Sequence, residues 1–361
     1  MNKTESNRIN FIGATCPIPL KHSDHVVMGH GSGGQMTQEL IQQVFLPCLA
    51  NDMLLAGNDF ARASLPESAN THGHLIVSTD SHIVFPLFFR GGDIGRLAVC
   101  GTVNDISMSG AIPLFLSAGF IIEEGTQFEV LQRIAASMRD SLQEAGVQII
   151  AADTKVVERG KGDGLFITTT GMWWLPDGLM IGGEKAQPGD EVLISGTIGD
   201  HGIAVMSARG EMGIEVDIQS DVAPLNAMIQ AVLSAAPHTH VLRDPTRGGL
   251  ATSLNEIATQ SYVAIQLDEK EIPVQSPVRA ACEMLGFDPM YIANEGKVIV
   301  IVPSNEAQAA LDAMHRNQYG KKATRIGTVI QSPAKRLLMR TSIGGTRIIP
   351  VLAGEMLPRI C

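Results

Sequence analysis

Short runs of apolar and β-branched residues alternate with amphipathic helical patterns along most of this sequence, and that alternation predicts an α/β or α+β fold. In the first half of the chain, strands are predicted at residues 75–79, 113–122, 147–151 and 165–170. Apolar or small residues recur at helical spacing from Ile94 to Ile106, which predicts a helix between the first two strands. A second helix is predicted from Thr126, because Glu129 follows three residues later, as in a capping box.

The second half repeats this alternation after a segment rich in glycine and proline, LPDGLMIGGEKAQPGD at residues 175–190. Such a segment predicts a domain boundary. Beyond it, strands are predicted at residues 191–195, 263–267, 298–302 and 325–329, and helices at residues 247–258, 277–285 and 305–316. Each half is therefore expected to form one sheet with helices on one face.

Four regions follow from this pattern in a chain of 361 residues, which is too long for one ordinary hydrophobic core. Residues 1–27 are predicted to be an N-terminal extension, residues 28–175 an N-terminal domain and residues 176–343 a C-terminal α+β domain. The last stretch, GGTRIIPVLAGEMLPRIC, leaves little room for another folded element, so residues 344–361 are predicted to be a mobile tail. The tail ends on a thiol, that of Cys361.

The charge balance argues against nucleic-acid binding. Lys and Arg number 27 against 37 Asp and Glu, a net charge of −10, and no basic cluster offers the face that nucleic acid requires. No apolar run approaches the roughly 20 residues that span a bilayer. The five cysteines form no CxxC pair, which is typical of a reducing compartment, and the cytoplasm is the expected location.

Aspartates stand where apolar strands are predicted to end. Asp80, Asp153 and Asp244 each follow such a run, and helical spacing places Asp105 on an apolar helix face. A carboxylate on that face costs several kcal/mol to bury unless a metal, a cation or hydrogen bonds hold it. Any one of these aspartates is about as readily a cap or a turn residue, but together they predict a magnesium–triphosphate site. Asp59 is a candidate fifth carboxylate.

Three glycine-rich loops could let backbone N–H groups approach phosphate oxygens. They are HGSGG at residues 30–34, with Gly31, Gly33 and Gly34, RGGDIG at residues 90–95, with Gly91 and Gly92, and TRGGL at residues 246–250. None is a Walker A loop or a dinucleotide-binding fingerprint. Each loop alone is more often a turn, and only jointly do they indicate phosphate binding.

Two further side chains are candidates for chemistry at that site. Lys155 follows Asp153 by two positions, so an extended segment puts both side chains on one side. There Lys155 could stabilise a transferring phosphate, or it could form an ordinary surface ion pair. Glu295, in YIANEGK, could be a general base, or it could cap a turn or pair with Lys297.

Seven segments resemble one family, the hydrogenase maturation factor HypE. In chain order they are HGSGG, STDSHIVFPLFFRGGDIGRLAVCGTVNDISMSGAIP, DTKVVERG, GTIGDHGIAVM, RDPTRGGLA, NEGK and the final PRIC. The wider superfamily includes aminoimidazole ribonucleotide synthetase, selenophosphate synthetase and thiamine-monophosphate kinase. The resemblance implies a two-domain fold of that type, in which the N-terminal domain binds ATP and forms a β-barrel across a homodimer.

The resemblance also implies an activity. A carbamoyltransferase, HypF, would carbamoylate Cys361, and ATP with Mg2+ would drive dehydration of the S-carbamoyl group to a thiocyanate. The cyanide would then pass to iron on a HypC–HypD complex, for use in a [NiFe] hydrogenase. The positions that match the family's site residues are Asp80, Asp105 and Asp244 for the magnesium-ATP carboxylates, Lys155 and Glu295 beside the reacting group, and Cys361 as the carrier.

Three features depart from the family's pattern, namely an extension before Met28, Ala152 where glycine is expected, and Trp173 and Trp174 in place of small residues. Two alternatives remain open. A sibling such as selenophosphate synthetase would need a reactive cysteine with a lysine near the first glycine loop, and HGSGG lacks both. A non-catalytic ATP-gated scaffold would use Cys361 only to dock a partner.

Overall fold

The computed structural model describes residues 34–40, 55, 61–64, 73–210, 213, 216–352 and 354. Within these residues the chain forms a five-stranded sheet that ends at Pro176 and a seven-stranded sheet that begins at Asp190. No helix among them is both long enough and apolar enough to cross a membrane. Outside the described residues lie four predicted site residues, Gly31, Gly33, Asp59 and Cys361.

The first sheet contains the strands predicted in the first half of the chain. Its strands are β1 (Ala61–Ser64), β2 (Gly73–His82), β5 (Phe115–Glu123), β6 (Gln148–Val157) and β7 (Leu165–Pro176). They lie in the order β1–β2–β7–β5–β6, and all neighbours are antiparallel except β5 and β6. The sheet is open at both edges, and the described residues form no closed barrel. A separate short hairpin consists of β3 (Phe88–Phe89) and β4 (Gly92–Asp93).

Helices cover one face of the first sheet, as predicted. Helix α2 (Ile94–Ser107) begins after Asp93, whose carboxylate accepts hydrogen bonds from the backbone N–H groups of Gly95 and Arg96. The apolar side chains of α2 and of α3 (Phe128–Ala145) pack together and against the inward side chains of β5 and β7. This burial of apolar surface orders the first domain.

The predicted capping box at Thr126 is wrong. Helix α3 begins at Phe128, and its N-cap residue Gln127 makes no side-chain hydrogen bond to the helix. The Thr126 hydroxyl instead donates to the carbonyl oxygens of Glu123 and Gly164. The threonine therefore closes the turn between β5 and α3 rather than capping the helix.

The second sheet has seven strands. They are β8 (Asp190–Ile194), β9 (Val241–Arg243), β10 (Ala264–Asp268), β11 (Ile299–Pro303), β12 (Thr324–Ile330), β13 (Arg336–Arg340) and β14 (Thr346–Ile349). Their order is β14–β13–β10–β12–β8–β11–β9, and only β10 and β13 are parallel neighbours. The four strands predicted in this half are confirmed as β8, β10, β11 and β12. The three-residue β9 is too short to be predicted from its pattern.

Helices cover both faces of the second sheet, so the expectation of helices on one face is wrong for this domain. Helices α5 (Asn226–Ala235) and α8 (Ala307–Arg316) pack on the face that includes Leu193, and α6 (Gly249–Gln260) packs on the face that includes Val192. All five residues of β8 are buried, as expected for a strand that is covered on both faces. The remaining helices described are α1 (Gln35–Leu40), α4 (Asp200–Arg209) and α7 (Ser276–Leu285).

The predicted tail is partly folded. Strand β14 pairs with β13, which contradicts the expectation of no further element after residue 343. Beyond β14, the Tyr291 hydroxyl donates to the carbonyl oxygen of Pro350 at 2.9 Å. The backbone N–H of Gln35 donates to the carbonyl oxygen of Leu352 at 2.8 Å. The chain is therefore held in place as far as Leu352.

Helix α2 joins the two domains. The buried Asn104 side chain donates to the carbonyl oxygens of Ala223 and Glu295, at 3.0 and 3.3 Å. Nearer the start of the helix, Arg96 Nε donates to the carbonyl oxygen of Val222 at 3.0 Å. These bonds satisfy backbone groups of the second domain with side chains of the first, so they fix α2 against the loops that surround it.

Gly249 of the second domain has no room for a side chain. Gly249, at the start of α6, has a φ of +61°, and a methyl group there would lie 2.6 Å from the Met290 carbonyl oxygen. Gly286, after α7, has a similar φ of +72° with nothing within 4 Å. We expect Gly286→Ala to lose about 1–2 kcal/mol of stability to left-handed backbone, and Gly249→Ala to lose about 1–3 kcal/mol more to overpacking. Urea unfolding measures both, and equal losses would contradict this close packing.

Candidate active site

Four carboxylates from different parts of the fold lie close enough to interact. Asp80 lies on β2, Asp105 on α2, Asp244 directly after β9 and Glu295 shortly before β11. The Ser78 hydroxyl donates to Asp105 Oδ2 at 2.7 Å, and Asp105 shares a hydrogen bond with Asp244. Asp80 and Asp244 both act electrostatically on Glu295. The structure thus brings three predicted magnesium aspartates and the predicted base into one acidic cluster, defined by these four residues.

Two loops of the second domain carry Asp244 and Glu295, and Asn294 holds the loops together. The Asn294 backbone N–H and its side-chain Nδ2 both donate to the carbonyl oxygen of Pro245, at 3.2 and 2.8 Å. Asn294 Oδ1 accepts the N–H of Gly199 at 2.8 Å. Because every polar atom of this buried amide is used, the spacing of the two loops is fixed.

Burial dominates the electrostatics of the acidic cluster. Asp244 is 7% exposed and Glu295 is 5% exposed. Burial raises the pKa of the Asp244 carboxyl to about 6, against the opposing charge of Arg243. Burial also raises the pKa of Glu295 well above its usual range, and the charges of Asp80 and Asp244 raise it further. Burial and the neighbouring carboxylates therefore favour the neutral forms of Asp244 and Glu295.

The acidic cluster fits a magnesium ion that arrives with phosphates. Within the described residues, no three His, Cys, Asp or Glu side chains form a group that could hold a metal ion by themselves. Magnesium bound with a nucleotide needs only one or two protein carboxylates, because phosphate oxygens and water complete its shell. Asp80, Asp105 and Asp244 offer carboxylates to such an ion.

His82 also lies at the acidic cluster, and the sequence reasoning missed it. Its Nε2 lies 3.6 Å from Asp80 Oδ2, and the ring is buried. Burial lowers the pKa of His82, against the opposing charge of Asp80, so the neutral imidazole is favoured. A methyl group at Gly101 of α2 would lie 2.8 Å from His82 Cε1, so glycine is needed there. Its position two residues after Asp80 in a strand could have identified His82.

Asp153 and Lys155 lie on the other face of the first sheet. Lys155 Nζ is 2.5 Å from Asp153 Oδ2, so the prediction that the two share one side of a strand is confirmed. The register puts Asp153 in line with Thr168 of β7, whereas Asp80 is opposite Thr169. Neighbouring residues of a strand point to opposite faces. The structure therefore does not bring Asp153 and Lys155 to the acidic cluster of the same chain.

The described glycines of the first two loops pack closely against neighbouring residues. A methyl group at Gly91 would lie 2.8 Å from the backbone of Ser220, and one at Gly92 would lie 2.7 Å from a side-chain methyl group of Val222. A methyl group at Gly34 would collide with the carbonyl oxygen of Leu352. Close packing is a sufficient reason for glycine at these positions, and their role in phosphate binding stays a prediction.

Comparison with known proteins assigns the chain to a family. The N-terminal domain of AIR synthase related proteins matches residues 58–174, and the C-terminal domain matches residues 187–340. Carbamoyl dehydratase HypE from Azotobacter vinelandii is 51% identical over 336 residues, which cover 93% of this chain and 97% of that protein. Carbamoyl dehydratase HypE from Escherichia coli is 42% identical over 338 residues, which cover 94% and 100%. The chain belongs to the HypE family.

Solved HypE structures agree with this assignment. A HypE–HypF complex matches with a TM-score of 0.80 and 48% identity, covering 87% of this chain and 99% of that chain. HypE in complex with ATP matches with a TM-score of 0.77 and 46% identity, covering 93% and 100%. Thiamine monophosphate kinase from Aquifex aeolicus, at 15% identity and a TM-score of 0.58, shares the fold alone. The HypE resemblance and the two AIR synthase-type domains are confirmed.

The raised pKa of Asp244 predicts how stability depends on pH. The folded state holds this proton more tightly than the unfolded chain, so the stabilisation is present below 3.8 and is lost as pH rises through about 6. Asp244→Asn, which carries no charge, should therefore exceed the wild type in stability at neutral pH without magnesium, by up to about 3 kcal/mol. The two proteins should converge near pH 4. Urea unfolding at several pH values measures the difference.

The control for this prediction is Asp140→Asn. Asp140 pairs with Arg139 on the surface, where both side chains are 64% exposed, so its loss should change stability by less than about 0.5 kcal/mol. If Asp244→Asn is less stable than the wild type at neutral pH, the carboxylate is not an electrostatic burden to the fold.

Proposed function

We propose that this protein is an ATP-dependent carbamoyl dehydratase of hydrogenase maturation. It converts an S-carbamoyl group on Cys361 to a thiocyanate, and the cyanide becomes a ligand of the iron in a [NiFe] hydrogenase. The observation that carries the proposal is the buried Glu295 beside Asp80 and Asp244, in a chain whose near full-length relatives are named carbamoyl dehydratases. That geometry offers a base of raised pKa next to a site suited to magnesium and ATP.

The reaction needs a leaving group, and ATP supplies it. The carbonyl oxygen of the S-carbamoyl group attacks the γ-phosphorus of ATP, ADP leaves, and one nitrogen proton is lost. This gives an O-phosphorylated thioimidate. The C–O bond then breaks as phosphate departs, the second nitrogen proton is removed, and the C≡N bond forms. Phosphorylation is required because hydroxide is a poor leaving group and phosphate is a good one.

Glu295 is assigned the removal of a nitrogen proton. A general base works best when its pKa lies near the working pH, and an ordinary glutamate lies well below neutrality. Burial first, and then the charges of Asp80 and Asp244, raise the pKa of Glu295. The backbone carbonyl of Glu295 accepts a hydrogen bond from Asn104, which supports a fixed position for the carboxyl group.

The remaining predicted residues are assigned to nucleotide and metal. Magnesium, when bound with ATP, would spread the charge of the transferring phosphoryl group. The acidic cluster supports Asp80, Asp105 and Asp244 as the residues that hold it. The assignments that rest on sequence alone are Asp59 for the metal, and Gly31, Gly33, Gly34, Gly91, Gly92 and Asp153 for the nucleotide.

A second copy of the chain is proposed to cover the open face of the first sheet and complete a barrel. That face lies opposite α2 and carries Ile121 and Met172, which are 41% and 54% exposed. An uncovered apolar sheet face is typical of an interaction surface. Lys155 projects from the same face, which supports a role for Lys155 at the subunit interface rather than inside its own chain's acidic cluster.

The tail is proposed to carry the thiol between partners, which are HypF and a HypC–HypD complex. The complex of a HypE with HypF supports the first of these partners. Leu352 is held by Gln35, and Cys361 is the ninth residue after Leu352. At about 3.3 Å per residue this length reaches at most about 30 Å, so an anchored base still lets the thiol travel. The cytoplasm is the proposed location.

Glu295→Gln and Cys361→Ala separate the steps of this reaction. Intact mass is measured after incubation with HypF, carbamoyl phosphate and ATP. The wild type should gain a carbamoyl adduct that loses one water as ATP is hydrolysed. Glu295→Gln should keep ATP binding and the adduct but lose dehydration by about 100-fold or more, because a general base contributes about 10²–10⁴-fold. Cys361→Ala should gain no adduct. Normal dehydration in Glu295→Gln would refute its role as the base.

The open face is tested by placing charge on it. Ile121→Lys with Met172→Lys should raise the dimer dissociation constant by about 100-fold or more, because unpaired buried charge costs several kcal/mol. Ile343→Lys is the matched control, since Ile343 is 94% exposed in the turn after β13. Light scattering across a dilution series gives the mass. A dimer that withstands both lysines would place the interface elsewhere.

A further inference from the structure

A deeply buried ion pair joins Asp221 to Lys297, which lies two residues after Glu295. Lys297 Nζ lies 2.9 Å from Asp221 Oδ2, and the two side chains are 9% and 4% exposed. Charges this deep persist only when partners satisfy them, and removing one partner of such a pair is strongly unfavourable. Neither residue belongs to the acidic cluster or to any predicted site.

The pair holds the backbone that carries Glu295. Asp221 Oδ1 accepts the N–H of Glu295 at 3.2 Å, and Asp221 Oδ2 accepts the N–H of Gly296 at 3.4 Å. Lys297 Nζ also donates to the carbonyl oxygen of Gly296 at 3.3 Å. A methyl group at Gly296 would collide with the Asp221 backbone. The Asp221 carboxylate and the Lys297 ammonium therefore fix the peptide groups on both sides of Gly296 by hydrogen bonds.

The ammonium of Lys297 faces a second carboxylate as well. Asp200, at the start of α4, interacts with both Asp221 and Lys297. Its Oδ2 accepts from Thr197 and Gln275, at 2.5 and 2.9 Å. Its buried Oδ1 has no hydrogen-bond partner within the described residues. One lysine thus balances two buried aspartates, so the position of Lys297 is set from two sides.

We propose that Lys297 and Asp221 are positioning residues, which hold the Glu295 carboxyl against the substrate nitrogen by fixing the peptide groups at Gly296. This inference rests on the proposed function and extends it to two residues that touch no reacting atom. Stability alone gives a weak reason for the pair, because well-packed apolar residues often replace a buried ion pair at no cost. Positioning gives a stronger reason, because small displacements of a catalytic group slow a reaction sharply.

The test compares kcat and the KM for ATP in Lys297→Met, Asp221→Asn and Lys297→Arg, with carbamoylated protein as substrate. Lys297→Met should lower kcat about 100-fold, since a displacement of about 1 Å can cost that much, with the KM for ATP changed less than about 2-fold. Asp221→Asn should likewise lower kcat about 100-fold and change the KM for ATP less than about 2-fold. Lys297→Arg, which keeps the charge, should recover at least about a tenth of the wild-type kcat. Lys185→Met, in an exposed pair with Glu184, is the matched control.

Combining variants shows whether Lys297 acts through Glu295. In a Glu295→Gln background, Lys297→Met should cause little further loss, since residues that act as a unit are not additive. A full further loss would overturn the proposal, as would wild-type kcat in Lys297→Met. If the kcat of Lys297→Met recovers on cooling in step with the fraction of folded protein, the loss is one of stability, and this outcome would also overturn the proposal. If Lys297→Met does not fold, Asp221→Asn and Lys297→Arg carry the same comparison. A wild type that dehydrates no carbamoyl adduct refutes the proposed function instead.

Discussion

The packing of α2 between the two domains is the constraint on which the rest of the structure depends. Its residues Ile94 to Ser107 are almost all buried, since one side packs on the first sheet and the other meets loops of the second domain. A helix buried on all sides must have its polar side chains satisfied by neighbours. Asn104 and Arg96 meet that need through backbone groups of the second domain. The domain junction and the site therefore share one helix.

The acidic cluster is costly to the fold, and its cost indicates function. Asp244 and Glu295 are buried with raised pKa values, and the charges of Arg243 and Arg247 only partly oppose these shifts. A fold selected only for stability would replace such carboxylates with amides or apolar residues. The hydrogen bond from Ser78 to Asp105 and the bonds of Asn294 hold the carboxylates in place despite their repulsion. Strain of this kind is expected where a protein binds a cation or moves a proton.

Strands and helices with a clear local periodicity of apolar residues could be predicted from the sequence. The strands β2, β5 and β7 and the helix α2 follow alternating or helical patterns, and each was found where expected. The capping box at Thr126 failed because its hydroxyl had an alternative acceptor in the neighbouring turn. Helices on both faces of the second sheet were missed, although the unbroken apolar run of β11 indicates burial on two sides. Strand β14 was missed because its four residues alternate weakly and gain order only from β13.

The types of residue in the candidate site could be predicted from the sequence, but not which of these residues lie together in the fold. Carboxylates at strand ends pointed to Asp80 and Asp244, but only the folded topology shows which of them share a face. Asp153 was grouped with them, yet the pairing of β5 with β6 turns it to the opposite side of the sheet. His82 could also have been predicted, because its position two residues after Asp80 puts both side chains on one face of β2. Sequence spacing fixes the face within one strand, whereas relations between strands depend on register.

Under the proposed function, the fold must combine a rigid site with a thiol that moves between partners. The chain is held in place up to Leu352, whose carbonyl oxygen accepts a hydrogen bond from the Gln35 N–H. The same carbonyl oxygen lies so close to Gly34 that only glycine fits at residue 34. Anchoring the base of a carrier arm shortens its reach, but it also confines the thiol to a small volume and so raises its effective concentration near the site. An arm released at β13 instead would sample a much larger volume for the same contact. In the proposed reaction, β14 and the contacts beyond it would limit the arm, and the nine residues that follow Leu352 would set how far the thiol can travel.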